Sequence, residues 1–287
     1  MQETSVVCFG EMLWDLLPGK SLPGGAVMNV AYHLHKLGEP VKLVSKVGND
    51  ERGKQLLEIL SGYGLPTEYV QVDAERQTGI VHADMTDPSA VKYDIVYPVA
   101  WDFIEYSSSV MKGNDYFVFG SLCARDKVSR ATLEKFILEA GARVLDINLR
   151  APHYTTEFIT WLLQHCDILK LNIDELVYIS SWYRPFEGTE AALRLLADKF
   201  NIPVIVVTMG SDGAMLLQHG SLFREQGKPV KVADTIGSGD AFLAGFLHAR
   251  RQQKTPEDSL RLANALGALV ATYHGGCPEY DTRQLPL

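Results

Sequence analysis

The chain has 287 residues, 46% of them hydrophobic and 22% charged, with a formal net charge of −8. That length suits one large domain with a full core, and the composition is that of a soluble globular protein. The acidic balance excludes a general nucleic-acid binder, which needs a basic face, yet leaves backbone amides and a metal ion free to hold phosphate groups. Met1-Gln2-Glu3-Thr4-Ser5 has neither a basic stretch nor an apolar run, so no signal peptide is expected, and no apolar run is long enough to span a membrane. The cysteines Cys8, Cys123, Cys166 and Cys277 are scattered without metal-ligand spacing, which reads as reduced thiols in a cytoplasmic protein.

Val6 to Gly10 is a short buried strand ending at a glycine. Ala26 to Leu37 carries apolar residues at helical spacing with Gly38 as its stop. A strand at Val41–Val44 and a helix at Glu51–Gly62 follow. Thr78–Asp84 and Val91–Tyr97 are then two β-rich segments around the turn cluster Thr86-Asp87-Pro88-Ser89, the grammar of a hairpin. From Asp115 onward strands and helices alternate: strands at 116–120, 143–146, 168–171 and 204–208, helices at 129–140 and 190–200. Such alternation predicts a mostly parallel sheet with helices on both faces and a ligand site at the carboxyl ends of the strands.

Several motifs fall at those ends. Asp15 follows an apolar run, and Pro23-Gly24-Gly25-Ala26 leads into the helix that carries Asn29. A carboxylate can accept hydrogen bonds from sugar hydroxyls, and Gly24 and Gly25 let a polyol approach the backbone; a turn and a helix cap account for the same residues. Asp146, Asn148 and Arg150 alternate beyond a strand and would share a face if the strand continues. Asn172 and Glu175 have the spacing of a capping box first of all; the functional alternative is a phosphate contact from Asn172 and a Glu175 carboxylate positioning hydrated Mg²⁺. Thr208, Gly210 and Gly213 form a glycine turn, and Asn264 sits in an alanine-rich helix with room for a flat ring or for close packing.

Asp234-Thr235-Ile236-Gly237-Ser238-Gly239-Asp240 is the most informative stretch. Glycines before a helix let backbone N–H groups converge on an anion, favoured there by the helix dipole. Asp240 beside such a cradle repels a phosphate and fits better as a base that takes a proton from an incoming hydroxyl. Taken alone, the stretch is also a capped turn. The histidines show no metal-ligand spacing, and neither G-x-G-x-x-G after the first strand nor G-x-x-x-x-G-K-[ST] occurs, which disfavours a dinucleotide fold and a P-loop kinase.

Together these residues resemble the ribokinase/PfkB family of carbohydrate kinases. The family's C-terminal signature is matched in full by Asp234 to Leu247, and its N-terminal signature closely by Gly24 to Ala31 with Gly38 and Gly48, Val27 standing where a small residue or proline is usual. The N-x-x-E element at Asn172–Glu175, the T-x-G-x-x-G turn at Thr208–Gly213 and Asn264 agree in order and spacing. The resemblance implies one α/β domain over 1–287, a three-layer α/β/α sandwich with a mostly parallel sheet and a β lid at about 67–105. It implies Asp240 as catalytic base, an anion hole from Gly237, Ser238 and Gly239, and a sugar held by Asp15, Gly25 and Asn29 with help from Arg150. Asn172, Thr208, Gly210, Gly213 and Asn264 would contact ATP, with Glu175 supporting Mg²⁺. Asp234, Ile236 and Gly275 occupy the places of a K⁺ or other monovalent-cation site.

The expected activity is phosphorylation of the 6-hydroxyl of fructose. The lid segment Tyr97-Pro98-Val99-Ala100-Trp101-Asp102 lacks an arginine often found in fructokinases. A 2-keto-3-deoxygluconate kinase or a ribokinase-type kinase therefore stays open, as does a non-catalytic sugar or nucleotide sensor. The expected partners are a small sugar, no nucleic acid, no membrane, and a second copy of the chain through the lid.

Overall fold

Alternating apolar residues along one strand, Val6 and Cys8 toward one side, Val7 and Phe9 toward the other, determine the layering of this molecule. A computed structural model describes residues 4–84 and 92–286. In chain order, β1 (Ser5–Phe9) leads to a hairpin of β2 (Leu13–Leu17) and β3 (Lys20–Gly24), then α1 (Ala26–Lys36), β4 (Val41–Gly48), α2 (Glu51–Gly62) and β5 (Val70–Asp73). A second hairpin, β6 (Gly79–Asp84) and β7 (Lys92–Ile95), precedes β8 (Asn114–Gly120). Then come α3 (Lys127–Glu139), β9 (Ala142–Asp146), α4 (Thr156–Leu163), β10 (Ile168–Asn172), α5 (Ile173–Ser181), α6 (Thr189–Phe200) and β11 (Val204–Thr208). The hairpin β12 (Ala214–Gln218) and β13 (Ser221–Glu225), α7 (Ser238–Arg251) and α8 (Pro256–Val270) complete the order.

Nine strands form one sheet in the order β13-β12-β11-β10-β9-β8-β1-β4-β5, parallel except where β12 and β13 turn back antiparallel. One core packs α1, α2, α7 and α8 on one face; the other packs α3, α4, α5 and α6 on the opposite face. This is the three-layer α/β/α sandwich expected from the alternation. The helix α4 and the hairpins β2–β3 and β12–β13 are additions to the strands and helices read from the sequence.

The segment expected as a lid contributes to a second, smaller sheet, ordered β3-β2-β6-β7. Its extent differs from the expected 67–105. It recruits β2 and β3 from residues 13–24, while β5 leaves it to pair in register with β4, Ser45 beside Val70. The edge of the large sheet offers β5 a ladder of backbone hydrogen bonds, and this pairing decides its place. The turn cluster 86–89 lies outside the described residues.

Local chemistry sets the helix starts. Asp50 caps α2 through Gly53 N and also accepts from the Thr78 amide and hydroxyl, tying α2 to the start of the lid. Thr255 caps α8, with Pro256 at its first position. Gly237 caps α7 in the left-handed region (φ 74°) and has no side chain to offer.

A buried ion pair fastens the lid to the body. Arg125 Nε meets Asp102 Oδ1 at 2.7 Å and Nη2 meets Oδ2 at 2.9 Å, with side-chain exposures of 3% and 0%. Two further donations reach the Ile95 and Val96 carbonyls at the end of β7, and the guanidinium lies 4.0 Å from the Trp101 ring. Arg125→Met therefore leaves Asp102 buried without a counter-charge. The variant is expected to lose about 3–5 kcal/mol of unfolding free energy in urea titrations. Removing the exposed partner of Asp258 in Arg261→Met should change it by no more than about 1 kcal/mol.

Candidate active site

The N-terminus of α7 is bare because no side chain caps it. Ser238 is occupied locally: its amide donates to Thr235 O at 3.2 Å and its hydroxyl to Gly267 O at 2.9 Å. Among the described residues the amides of Gly239 and Asp240 have no carbonyl or side-chain acceptor, so two donors stay open where the helix dipole is positive. The backbone is crowded around them. A Cβ on Gly237 would stand 2.5 Å from Gly276 Cα, and one on Gly239 would stand 3.0 Å from Lys170 Nζ.

Asp240 lies on the first turn of α7 and accepts a hydrogen bond from Asn29 Nδ2 at 2.8 Å, joining α7 to α1. Cys277 Sγ donates to Asn29 Oδ1 at 3.2 Å, which orients the amide. Burial is the main force raising the Asp240 pKa to about 6, with the Asp146 charge adding to it; Lys170, the Asn29 hydrogen bond and Arg150 pull it down. A carboxylate with that proton affinity, beside open helix amides, can take up and return a proton near neutral pH.

Lys170 was missed in the sequence as a site residue. It stands directly beside Asp146 in the β9–β10 register, and its ammonium meets both carboxylate oxygens at 3.0 and 2.9 Å. Asp146, Asp240 and Glu175 each favour its charged form. Its signal was a lysine inside an apolar strand just before Asn172. The expected shared face of Asp146, Asn148 and Arg150 does not form: β9 ends at Asp146, and Asn148 has φ 38°, so alternation stops. Arg150 is exposed and donates to its own neighbour, Leu149 O, yet its charge acts on Glu11, Asp15 and Asp240.

On the α1 side, Asp15 belongs to the lid strand β2, and a Cβ on Gly24 would stand 2.3 Å from its Oδ2. Burial raises the Asp15 pKa to about 6. Gly25 (φ 117°) is pressed against the Glu11 carbonyl, where a Cβ would stand 2.3 Å away. Glu11 is a second residue the sequence reading left without a role. Its Oε1 accepts from Ala26 N at the start of α1, Oε2 is buried without a partner among the described residues, and burial pushes its pKa to about 7.

On the opposite side, Asn172 and Thr208 are paired at the ends of neighbouring strands β10 and β11. Asn172 and Glu175 form a reciprocal capping box, and Glu175 Oε1 also accepts from Leu149 N at 2.8 Å. Thr208 leads into the turn containing Gly210 (φ 57°) and Gly213 (φ 89°), and a Cβ on Gly213 would stand 2.1 Å from Glu225 O. Asn264 Nδ2 donates to Glu225 O and Gln226 O at 3.3 and 3.4 Å, so the turn, the end of β13 and α8 meet. The small residues of α8 also do packing work: a Cβ on Gly245 of α7 would stand 3.1 Å from Ala263 Cα.

Asp234, Ile236 and Gly275 come together as a third cluster. Asp234 Oδ1 accepts from Ile236 N at 2.9 Å and Oδ2 from Gly275 N at 3.3 Å. Both contacts are amide donations to the Asp234 carboxylate, and His274 Nδ1 lies 4.0 Å from its Oδ2. Among the described residues no group of three or more His, Cys, Asp or Glu side chains forms a metal cage, and no helix is long and apolar enough to cross a membrane.

Known proteins share this chain's family and fold. The family model for pfkB family carbohydrate kinases matches residues 4–283. The chain is 29% identical to an Escherichia coli fructokinase over 96% of this chain and 95% of that enzyme. It is 27% identical to aminoimidazole riboside kinase of Salmonella typhimurium over 93% and 88% of the two chains. A fructokinase from Vibrio cholerae O395, solved with fructose, ADP and calcium ion, superposes with a TM-score of 0.83 at 26% identity, covering 96% and 95%. A double mutant of that enzyme with fructose, ADP and potassium ion gives the same TM-score at 25% identity, covering 96% and 94%. The bare helix start and the carboxylate on its first turn thus sit in the frame of a sugar phosphotransferase. This chain belongs to the pfkB family of carbohydrate kinases.

The charge arrangement gives a pH prediction. Asn29 on α1, Asp146 and Lys170 on β9 and β10, Arg150 after β9, Glu11 after β1 and Cys277 near the C-terminus all act on or beside Asp240. Activity that needs ionised Asp240 should fall as pH drops through about 6. In Lys170→Met the attraction that favours the ionised form is gone, so the acidic limb of kcat/KM should move to higher pH. Rate profiles between pH 5 and 9, with matched circular dichroism to confirm the fold, check this; an unmoved limb contradicts it.

Proposed function

We propose that this protein is an ATP-dependent fructokinase that phosphorylates the 6-hydroxyl of fructose. The observation that carries the reading is the 2.8 Å bond from Asn29 to Asp240, which joins the α1 end of the site to the open helix start of α7. Asp15, Gly25, Asn29 and Arg150 hold the sugar, and Asn172, Thr208, Gly210, Gly213 and Asn264 hold ATP.

In the step itself, Asp240 takes the proton of the attacking hydroxyl. The new bond forms between that oxygen and the γ-phosphorus, the bond to the β–γ bridging oxygen breaks, and ADP leaves. The open amides of Gly239 and Asp240 face the charge on the transferring group, with Ser238 fixing the turn through Thr235 and Gly267. Bound Mg²⁺ would supply charge neutralisation on phosphate oxygens. Glu175 suits support through water, since both its oxygens already accept backbone amides. Asp234 with carbonyls near Ile236 and Gly275 would hold a monovalent cation, a reading supported by the Asp234 carboxylate lying beside both residues.

A second sugar is favoured by one observation: identity to the riboside kinase, 27%, is nearly that to the fructokinase, 29%. The lid edges β3 and β7 have open backbone rows among the described residues, which supports lid pairing between two copies.

ADP release tests the reading. Fructose is expected to stimulate it most in a panel with ribose, 2-keto-3-deoxygluconate and aminoimidazole riboside. Preference for another member reassigns the sugar, and release with none leaves a binding protein. Asp240→Asn should lower kcat by about 10²–10⁴-fold with ATP affinity retained. Near-full activity in that variant would remove the base assignment.

A further inference from the structure

Gly276 sits between the two halves of the site. Its Cα lies 2.5 Å from where a Cβ on Gly237 would stand, and a Cβ on Gly276 itself would stand 2.5 Å from Asn29 Nδ2. Small displacements here would therefore reach both the start of α7 and the amide that holds Asp240.

The segment from Gly276 to Tyr280 is tied to one face of α1. Asn29, Tyr32, His33 and Lys36 follow the i, i+3, i+4, i+7 spacing of a helix stripe. Cys277 Sγ reaches Asn29 Oδ1 at 3.2 Å, the Tyr32 hydroxyl donates to Pro278 O at 2.7 Å, and Lys36 meets Glu279 at 2.7 Å. His33 spans the segment, with Nε2 2.9 Å from Gly276 O and Nδ1 3.0 Å from the Tyr280 hydroxyl. Its ring is wholly buried and stacked on Tyr280. Burial lowers its pKa to about 4, so the imidazole is neutral and owns one N–H. A carbonyl can only accept, so Nε2 carries the proton and Nδ1 accepts from the tyrosine.

We infer that His33 is a positioning residue of the phosphoryl-transfer site: it holds the Gly276 carbonyl so that this glycine backbone walls the start of α7 and fixes the Asn29 amide on Asp240. The inference rests on the kinase reading above. One rigid helix carries both contacts, Asn29 to Asp240 and His33 to Gly276, four residues apart. Gly275 and Gly276 bring no side chains of their own to restrain that carbonyl, and glycine backbone is the most free to drift. Misplacement by about 1 Å at a reacting centre is worth up to about 10²-fold in rate.

Two amide variants separate this role from simple packing. In His33→Gln the side-chain nitrogen reaches the place of Nε2 and can still donate to Gly276 O. In His33→Asn it reaches only the place of Nδ1, beside Tyr280. Both are polar and smaller than imidazole, so a purely structural role predicts similar losses. The assay uses the sugar the unmutated protein turns over fastest, with rates expressed per folded molecule at a temperature where both variants are native by circular dichroism.

His33→Asn is expected to lose about tenfold or more in kcat/KM for the sugar, while His33→Gln keeps most of it. The KM for ATP should stay within roughly twofold in both, because Asn172, the 208–213 turn and Asn264 share no partner with His33. Calorimetric sugar binding without ATP should weaken in His33→Asn alone. Equal sugar kcat/KM in the two variants, whether both retained or both lost, overturns the inference while the kinase reading stands. No sugar turnover in the unmutated protein removes the kinase reading and the inference with it.

Discussion

The ammonium of Lys170 lies where the carboxylates of Asp146, Glu175 and Asp240 would otherwise repel one another. Like charges about 4 Å apart interact at roughly 4 kcal/mol in a partly screened protein environment, so a cluster of buried carboxylates needs a cation among them. Parallel pairing supplies it: the β9–β10 register sets Lys170 beside Asp146, and the bidentate contact follows from strand geometry alone. The consequence propagates to α7. Because Nζ stands 3.0 Å from where a Cβ on Gly239 would lie, only glycine fits there without displacing the ammonium. Asp240 then receives its proton affinity from opposing causes, burial and Asp146 raising it, Lys170, Asn29 and Arg150 restraining it.

A bare helix start is costly unless something supports the turn that leads into it. Here the support is backbone and packing in place of a capping side chain. Gly237 in the left-handed region brings the turn against Gly276, and Ser238 hands its hydroxyl to the Gly267 carbonyl of α8. A Cβ on Gly267 would stand 3.0 Å from Ser238 O, so α8 approaches as closely as it does because that residue is small. The alanine-rich helix thus serves packing, while Asn264 in the same helix reaches the carbonyls after β13. Asn264 is itself buried and lies three residues from Gly267, so packing and the polar contact share one face of the helix.

The body of the fold was legible because its strands and helices alternate with clear stops such as Gly38 and with strong cores such as Val204–Thr208. The hairpin β2–β3 was less so. Leu13–Leu17 is short, it lies between glycines, and its pairing with β6 is a contact across more than sixty residues that no local pattern encodes. The same limit hid the placement of β5, settled by β4. Asn172 and Glu175 carry one spacing with two uses: the cap is formed, and it still leaves the Asn172 Nδ2 group on an exposed residue. Asp146 was visible as a strand-end carboxylate, whereas its partner Lys170 resembled a stray charge until register put them together. His33 had only its lack of metal spacing to describe it; its two contacts come from a segment more than two hundred residues away.

The division of the proposed sugar residues between the two sheets carries its own consequence. Asp15 is built on β2 of the lid, whereas Asn29 and Asp240 are built on α1 and α7 of the body and are joined to each other directly. A lid that shifts as a unit would carry Asp15 relative to Asp240 while the Asn29–Asp240 contact stays as it is. Arg125 holds the Ile95 and Val96 carbonyls and Asp102 together, which restrains the β7 end of the small sheet. The arginine absent from the lid's own sequence is therefore not replaced by Arg125 as a sugar contact, since that guanidinium is buried and fully engaged. In the proposed reading, selection among sugars would rest on Asp15 of β2 together with Arg150 after β9, while Asn29 and Asp240 would supply the reaction geometry that accepted sugars share.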